Sequence, residues 1–576
     1  MTFRNSIPIV RRLWACAIAL SLVAAIQAQA EEPPAAQVRE EPITDDDREH
    51  WAFRPLAAPE LPVVQNPSWV KSPIDRFILA ALEEKQLAPT PAADRATLIR
   101  RATFDLIGLP PTPAETAAFV ADPSPAAWEN VLDRLLASPA YGQRWAQHWL
   151  DLARFAETDG FEHDLVRPEA WRYRDWVIEA LNRDLPVDRF IQLQIAGDQL
   201  QPGDDSAAVA TGFLLAGPDM PDINLQDERR HTVLNEMTST VGAVLLGLQI
   251  GCAQCHDHKY DPLSQADFYR LRAVFETAEL FKPQPFGRVL AEQQDPPRAS
   301  YLMVLGDFRR PGPAIEPAFP RVTNPWGDRV PASDGGRRVA LARWLTRPDH
   351  PLTTRVLVNR LWQEHFGRGL VDTASDFGLM GSPPTHSELL DWLAMELPRQ
   401  GWSLKRMHKL LLGSATYQQA SRIDPGAPAD GPVRQAWQRL CRLDPHNELV
   451  GRMNRRRLDG EAIRDAMLCS ADRLSTRRGG PGVMPPLPQE LITTLLAGHW
   501  KQSPDEVDHR RRSIYIFARR NLRYPLFEAF DRPDALASCP RRGRSTTAPQ
   551  ALILLNSEFS LAQSRALADF LLSHTD

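Results

Sequence analysis

The 576-residue sequence carries 67 Lys and Arg against 72 Asp and Glu, a formal net charge of −5. That balance excludes a general nucleic-acid binder, which would be basic. The length suggests two or three domains, the 43% hydrophobic content is ample for real cores, and the 51 prolines predict a chain rich in ordered loops.

The N-terminus has a basic start (Arg4, Arg11, Arg12), an apolar run from Leu13 to Ile26, and Ala28-Gln29-Ala30 before Glu31. This is the pattern of a secretory signal peptide over residues 1–30. The run is shorter than the ~20 residues of a bilayer span, so export to the periplasm or cell surface is expected, with no transmembrane span after cleavage. Glu31 to Glu49 is acidic and proline-containing and reads as a flexible lead-in.

Beyond it the periodicity is helical. Ser72-Pro73 is an N-cap with proline at the first helical position. Ile74, Phe77, Ile78, Ala81 and Leu82 then make one apolar face. Ser124-Pro125 repeats the device ahead of Trp128, Val131, Leu132, Leu135 and Leu136. Tyr173, Trp176, Val177, Ala180 and Leu181 do so again, and Val241 to Ile250 reads as a buried helix. Pro and Gly concentrate between Lys282 and Gly336, after which helical spacing resumes at Val339–Leu345. Ser513–Phe517 is the best strand signal. The expected fold is mainly α: two helical domains, 50–281 and 337–576, with few short strands, joined by the Pro/Gly-rich linker 282–336.

Chemistry concentrates in Gly251–Pro262, GCAQCHDHKYDP. In c-type haem attachment two thiols add across the porphyrin vinyl groups, and the histidine after the second cysteine ligates the iron. Cys252, Cys255 and His256 have that spacing, and attachment after export agrees with the signal peptide. A structural zinc site would need about four ligands, and no second CxxC completes one. The alternative is a divalent transition metal held by His256, His258 and Asp261 with Cys252 or Cys255. Outside the signal peptide the cysteines are Cys252, Cys255, Cys441, Cys469 and Cys539, an odd set unlike a disulfide scaffold.

Long segments carry a resemblance. "SPIDRFILAALE", "DRATLIRRATFDLIGLPPTPAE", "YGQRWAQHWLDLARFAETDGFEHD" and "GCAQCHDHKYDPLSQADFY" are similar to the planctomycete family of secreted, cytochrome-associated proteins. "HPLTTRVLVNRLWQEHFGRGLVDTASDFG", "RRSIYIFARRN" and "TTAPQALILLN" resemble that family's usual C-terminal partner domain. Both domains are of unknown function. The resemblance implies an exported context beside cytochrome c and polysaccharide-degradation proteins rather than a defined activity. Many relatives carry a further N-terminal cytochrome c domain, where this sequence has only Glu31 to Glu49.

Two further clusters stand out. Glu157, Asp159, Glu162 and Asp164, with His163, surround Gly160 after a helical stretch containing His148 and Asp151. Such acids serve general acid–base work, hold a hard cation, or form a solvated loop. Arg510, Arg511, Arg512, Arg519, Arg520, Arg523, Arg541, Arg542 and Arg544 suit carboxylate or sulfate ligands, but pairing with the domain's acids is the simpler expectation. His365 reads as a core helix residue. Three functions follow: an exported c-type haem protein in electron transfer or oxidation, working with periplasmic redox partners; a metal-dependent carbohydrate-active enzyme; or a non-catalytic polysaccharide-binding or structural protein.

Overall fold

A computed structural model describes residues 38, 40–281, 284–293, 298–331, 336–424, 426–428, 430–493, 495 and 499–574. The signal-peptide segment 1–30 lies outside the described residues. Among those described the chain is mainly α-helical, with two small antiparallel pairs of strands.

Helix α1 (Pro73–Glu84) starts where the sequence places it. The Ser72 side chain and the Asp75 carboxylate cap each other's backbone, and Ile74, Phe77, Ile78 and Leu82 are buried. Helix α2 (Arg95–Ile107) is capped by Asp94 and ends at left-handed Gly108. Helix α3 (Ala127–Ala137) begins two residues later than Ser124-Pro125 suggests, because Ser124 closes a turn onto the amides of Ala126 and Ala127. Helices α4 (Ala140–Leu152) and α5 (Trp171–Asn182) pack closely. Gly142 permits this, since a side chain there would run into the Ile178 carbonyl. Helices α6 (Val187–Leu200) and α7 (Gln226–Val241) complete this side of the core.

The helix expected through Val241–Ile250 is corrected. The stretch is buried, but α7 ends at Val241, a wider turn runs over Gly242–Leu246, and Gly247 turns left-handed at φ 62°. A side chain at Gly247 would press on Val356 and Phe377. The break redirects the chain outward into a 3₁₀ turn, Ile250–Gln254, and then helix α8 (Gln265–Ala273).

The segment expected to link two domains is packed. Strand β1 (Ala278–Glu279) pairs with β2 (Ala291–Glu292), and β3 (Tyr301–Met303) with β4 (Pro311–Ala314). Val289, Leu290, Ile315, Phe319 and Val322 are buried, and Phe319 stacks on Trp344 with ring centroids 4.5 Å apart. Helices α9 (Arg337–Leu345) and α10 (Thr353–Phe366) follow. One hydrophobic cluster runs from Ala52 to Ala518, so both halves share it, and a smaller one surrounds Phe527. Across the halves, the buried Asp75 carboxylate accepts from the amides of Ala415 (3.0 Å) and Thr416 (2.9 Å) and from the Thr416 hydroxyl (2.7 Å). The lead-in is tied down as well: Glu40 binds Arg270, Arg321 and Ser264.

The strand expected at Ser513–Phe517 is also corrected. Ser513–Tyr515 is a 3₁₀ turn, because the Ser513 amide and hydroxyl are taken by Asp465 (2.9 and 2.6 Å). Only Ile516 forms a bridge, to Val483.

Candidate functional site

The 3₁₀ turn Ile250–Gln254 delivers Cys252 and Cys255 to the surface as exposed, free thiols. Cys252 lies within that turn and Cys255 caps its C-terminal end. Gly306 lies against Cys255. A Cβ there would sit 2.7 Å from Cys255 Sγ.

His256 is exposed, and its Nδ1 lies 2.6 Å from the Asp257 carbonyl oxygen. A carbonyl only accepts, so Nδ1 carries the proton and donates it. In the neutral ring the Nε2 lone pair is then left available to a metal. This is the tautomer that a metal-ligating histidine takes when its other nitrogen bonds a backbone carbonyl.

His258 does the opposite. Its side chain is 9% exposed and its Nδ1 accepts the Asp261 amide at 2.8 Å. The 3.5 Å approach of that same Nδ1 to Asp261 Oδ2 is therefore no ion pair. The Asp261 carboxylate is buried, accepts the Leu379 amide at 2.7 Å, and lies against Gly378, where a side chain would strike it. Asp261 thus pins the motif to the loop 376–379, and His258 holds the Asp261 backbone in turn. The structure joins these two but leaves His256 facing solvent. Among the described residues no group of three or more His, Cys, Asp or Glu is placed to hold a metal ion. Tyr260, Leu305, Leu379 and Met380, in or beside these contacts, are large apolar side chains left exposed.

Residues 73–279 match the family model PSCyt2, a protein of unknown function (DUF1549), and residues 337–575 match PSD1, a protein of unknown function (DUF1553). The two matches stand in tandem along the chain. No curated protein and no solved structure matches it. The CxxCH turn and the acidic loop both lie in the DUF1549 segment.

The acidic loop is built as a structural joint between the two segments. Glu157 is buried and accepts the amides of Ala518 (3.0 Å) and Gly482 (3.1 Å) from the DUF1553 side. Burial pushes its carboxyl above the usual range, against the opposing pull of Arg174. Asp159 is held by Arg167 (2.5 Å) and Arg288 (2.9 Å), and Asp164 by Arg519 (2.8 Å). Glu162 is exposed, and His163 pairs with Asp222 at 3.1 Å. The acids therefore do not converge on a shared open site. Arg520 is buried and donates to the backbone carbonyls of Thr158 and Arg154 (3.1 and 3.0 Å). His365 is fully buried with its Nε2 2.8 Å from His408 Nδ1.

Proposed function

We propose that this chain is an exported c-type haem protein, with haem held covalently by Cys252 and Cys255 and its iron ligated by His256 Nε2. The observation that carries the reading is the 2.6 Å approach of His256 Nδ1 to the Asp257 carbonyl oxygen, beside two exposed free thiols. When bound, the haem supplies one-electron transfer. The residues of the chain present the thiols, fix the histidine tautomer and anchor the turn through His258 and Asp261. Exposed Tyr260, Leu305, Leu379 and Met380 offer apolar surface of the kind that a cofactor or partner covers. The resemblance to secreted, cytochrome-associated proteins supports a periplasmic or cell-surface redox role linked to polysaccharide use; among the described residues no helix is long and apolar enough to cross a membrane.

The test is expression in the periplasm of a host competent in cytochrome c maturation, followed by a denaturing gel stained for haem peroxidase activity. Haem should remain on the parent chain and vanish in Cys252→Ser/Cys255→Ser. Folded, exported parent protein without haem overturns the reading. A stoichiometric transition metal in that sample would replace it with the metal-site reading.

A further inference from the structure

A cavity of about 530 Å³ opens between α2 and α4 of the DUF1549 segment and α10 with the loops 453–459 and 539–544 of the DUF1553 segment. That volume is in the range of small-molecule sites, about 300–1,000 Å³. Eleven arginines line it against four carboxylates, Asp105, Asp151, Glu364 and Asp459.

Several pairs neutralise one another: Arg144 with Asp459, Arg456 with Asp105 and Arg542 with Asp151, each at 2.6 Å. Arg457 and Arg541 reach out of the cavity to Asp531 and Asp372. Among the described residues Arg100, Arg422, Arg455 and Arg544 have no carboxylate within 4.0 Å, and all four are exposed. The lining also holds donors without acceptors. Trp145 is only 6% exposed and its Nε1 has no hydrogen-bond partner, nor has Arg144 Nε. Tryptophan and arginine nitrogens can only donate, so what they lack is an acceptor. Burial also pushes His148 down to about 4, partly offset by Glu364, so it is neutral near pH 7 and adds no charge.

We infer that this cavity binds a small anion bearing carboxylate or tetrahedral sulfate or phosphate groups. Guanidinium forks match both geometries, and a concave surface with an excess of positive charge concentrates such ligands. Because the walls come from both segments, the ligand bridges them. This site is separate from the CxxCH turn and does not depend on haem.

The experiment is calorimetric titration of the full chain at low ionic strength with citrate, pyrophosphate and sulfate in turn. At least one should bind, with a matching rise in the thermal midpoint. Preference for citrate assigns carboxylates, and preference for pyrophosphate or sulfate assigns tetrahedral groups. The double variant Arg455→Ala/Arg544→Ala removes exposed side chains and should keep the parent's unfolding midpoint without ligand. It should weaken binding at least about tenfold, the scale of losing charge-assisted hydrogen bonds. Arg309→Ala, an exposed arginine outside the cavity lining, should change nothing. Absence of binding by all three probes overturns the inference, as does binding that the double variant leaves intact or that Arg309→Ala weakens equally.

Discussion

Arg338 and Asp198 form a two-pronged ion pair inside the molecule, with Nη1 2.7 Å from Oδ1 and Nη2 2.6 Å from Oδ2. The Arg338 side chain is wholly buried, and its Nη2 also reaches Glu292 at 2.8 Å. One guanidinium thus joins α6, the strand pair of the Pro/Gly-rich segment and the first turn of α9.

Replacing Arg338 by leucine should therefore cost about 3–5 kcal/mol, because two carboxylates lose their buried counter-charge. Urea unfolding followed by circular dichroism checks this. A loss below about 1 kcal/mol would show that the guanidinium does not tie these segments together.

Stability should fall on mild acidification. His350 is fully buried and accepts the amides of Leu352 and Thr353 at 3.2 Å on Nδ1, at the start of α10. Burial pushes it down to about 3. Below the usual 6.5 the unfolded chain gains a proton that the folded chain does not, so stability is full above about 6.5 and declines as pH drops towards 3. This one residue should cost about 2 kcal/mol by pH 5. His350→Asn should flatten the pH 7 to pH 5 change in the unfolding midpoint by about that amount; an unchanged slope would assign the acid sensitivity to other groups.

The acidic loop should behave as a joint. Asp164→Ala strands the buried Arg519 guanidinium and should destabilise by about 3–5 kcal/mol. Glu162→Ala, at an exposed position, should stay within about 0.5 kcal/mol. Equal effects in thermal denaturation would refute the structural reading.

At the CxxCH turn, His258→Ala removes the acceptor of the Asp261 amide and should lower stability by about 1–3 kcal/mol. Haem per mole of protein should be unchanged in pyridine haemochrome spectra. Loss of haem from this variant while it remains folded would move the ligand role from His256 to His258.

The helical class, the cap at Ser72-Pro73 and the apolar faces of α1 and α5 were legible in the sequence because they are local. Spacing and capping chemistry act within a turn or two of the residues that carry them. The CxxCH grouping was legible for the same reason. Tertiary structure decided what locality cannot. Gly247 breaks a continuous apolar run because Val356 and Phe377, over 100 positions away, occupy the space that a side chain would need. Ser513–Phe517 fails as a strand because Asp465 takes the hydrogen bonds of Ser513 and, among the described residues, the segment pairs only with Val483, as an isolated bridge at Ile516. Asp159 and Asp164 turn inward because Arg288 and Arg519 arrive from elsewhere in the chain. The arginine-lined cavity exists only where α4 meets α10 and the 539–544 loop. Periodicity determines which faces a chain must bury, whereas the partner of each buried charge is set by which distant segments the shared core brings together.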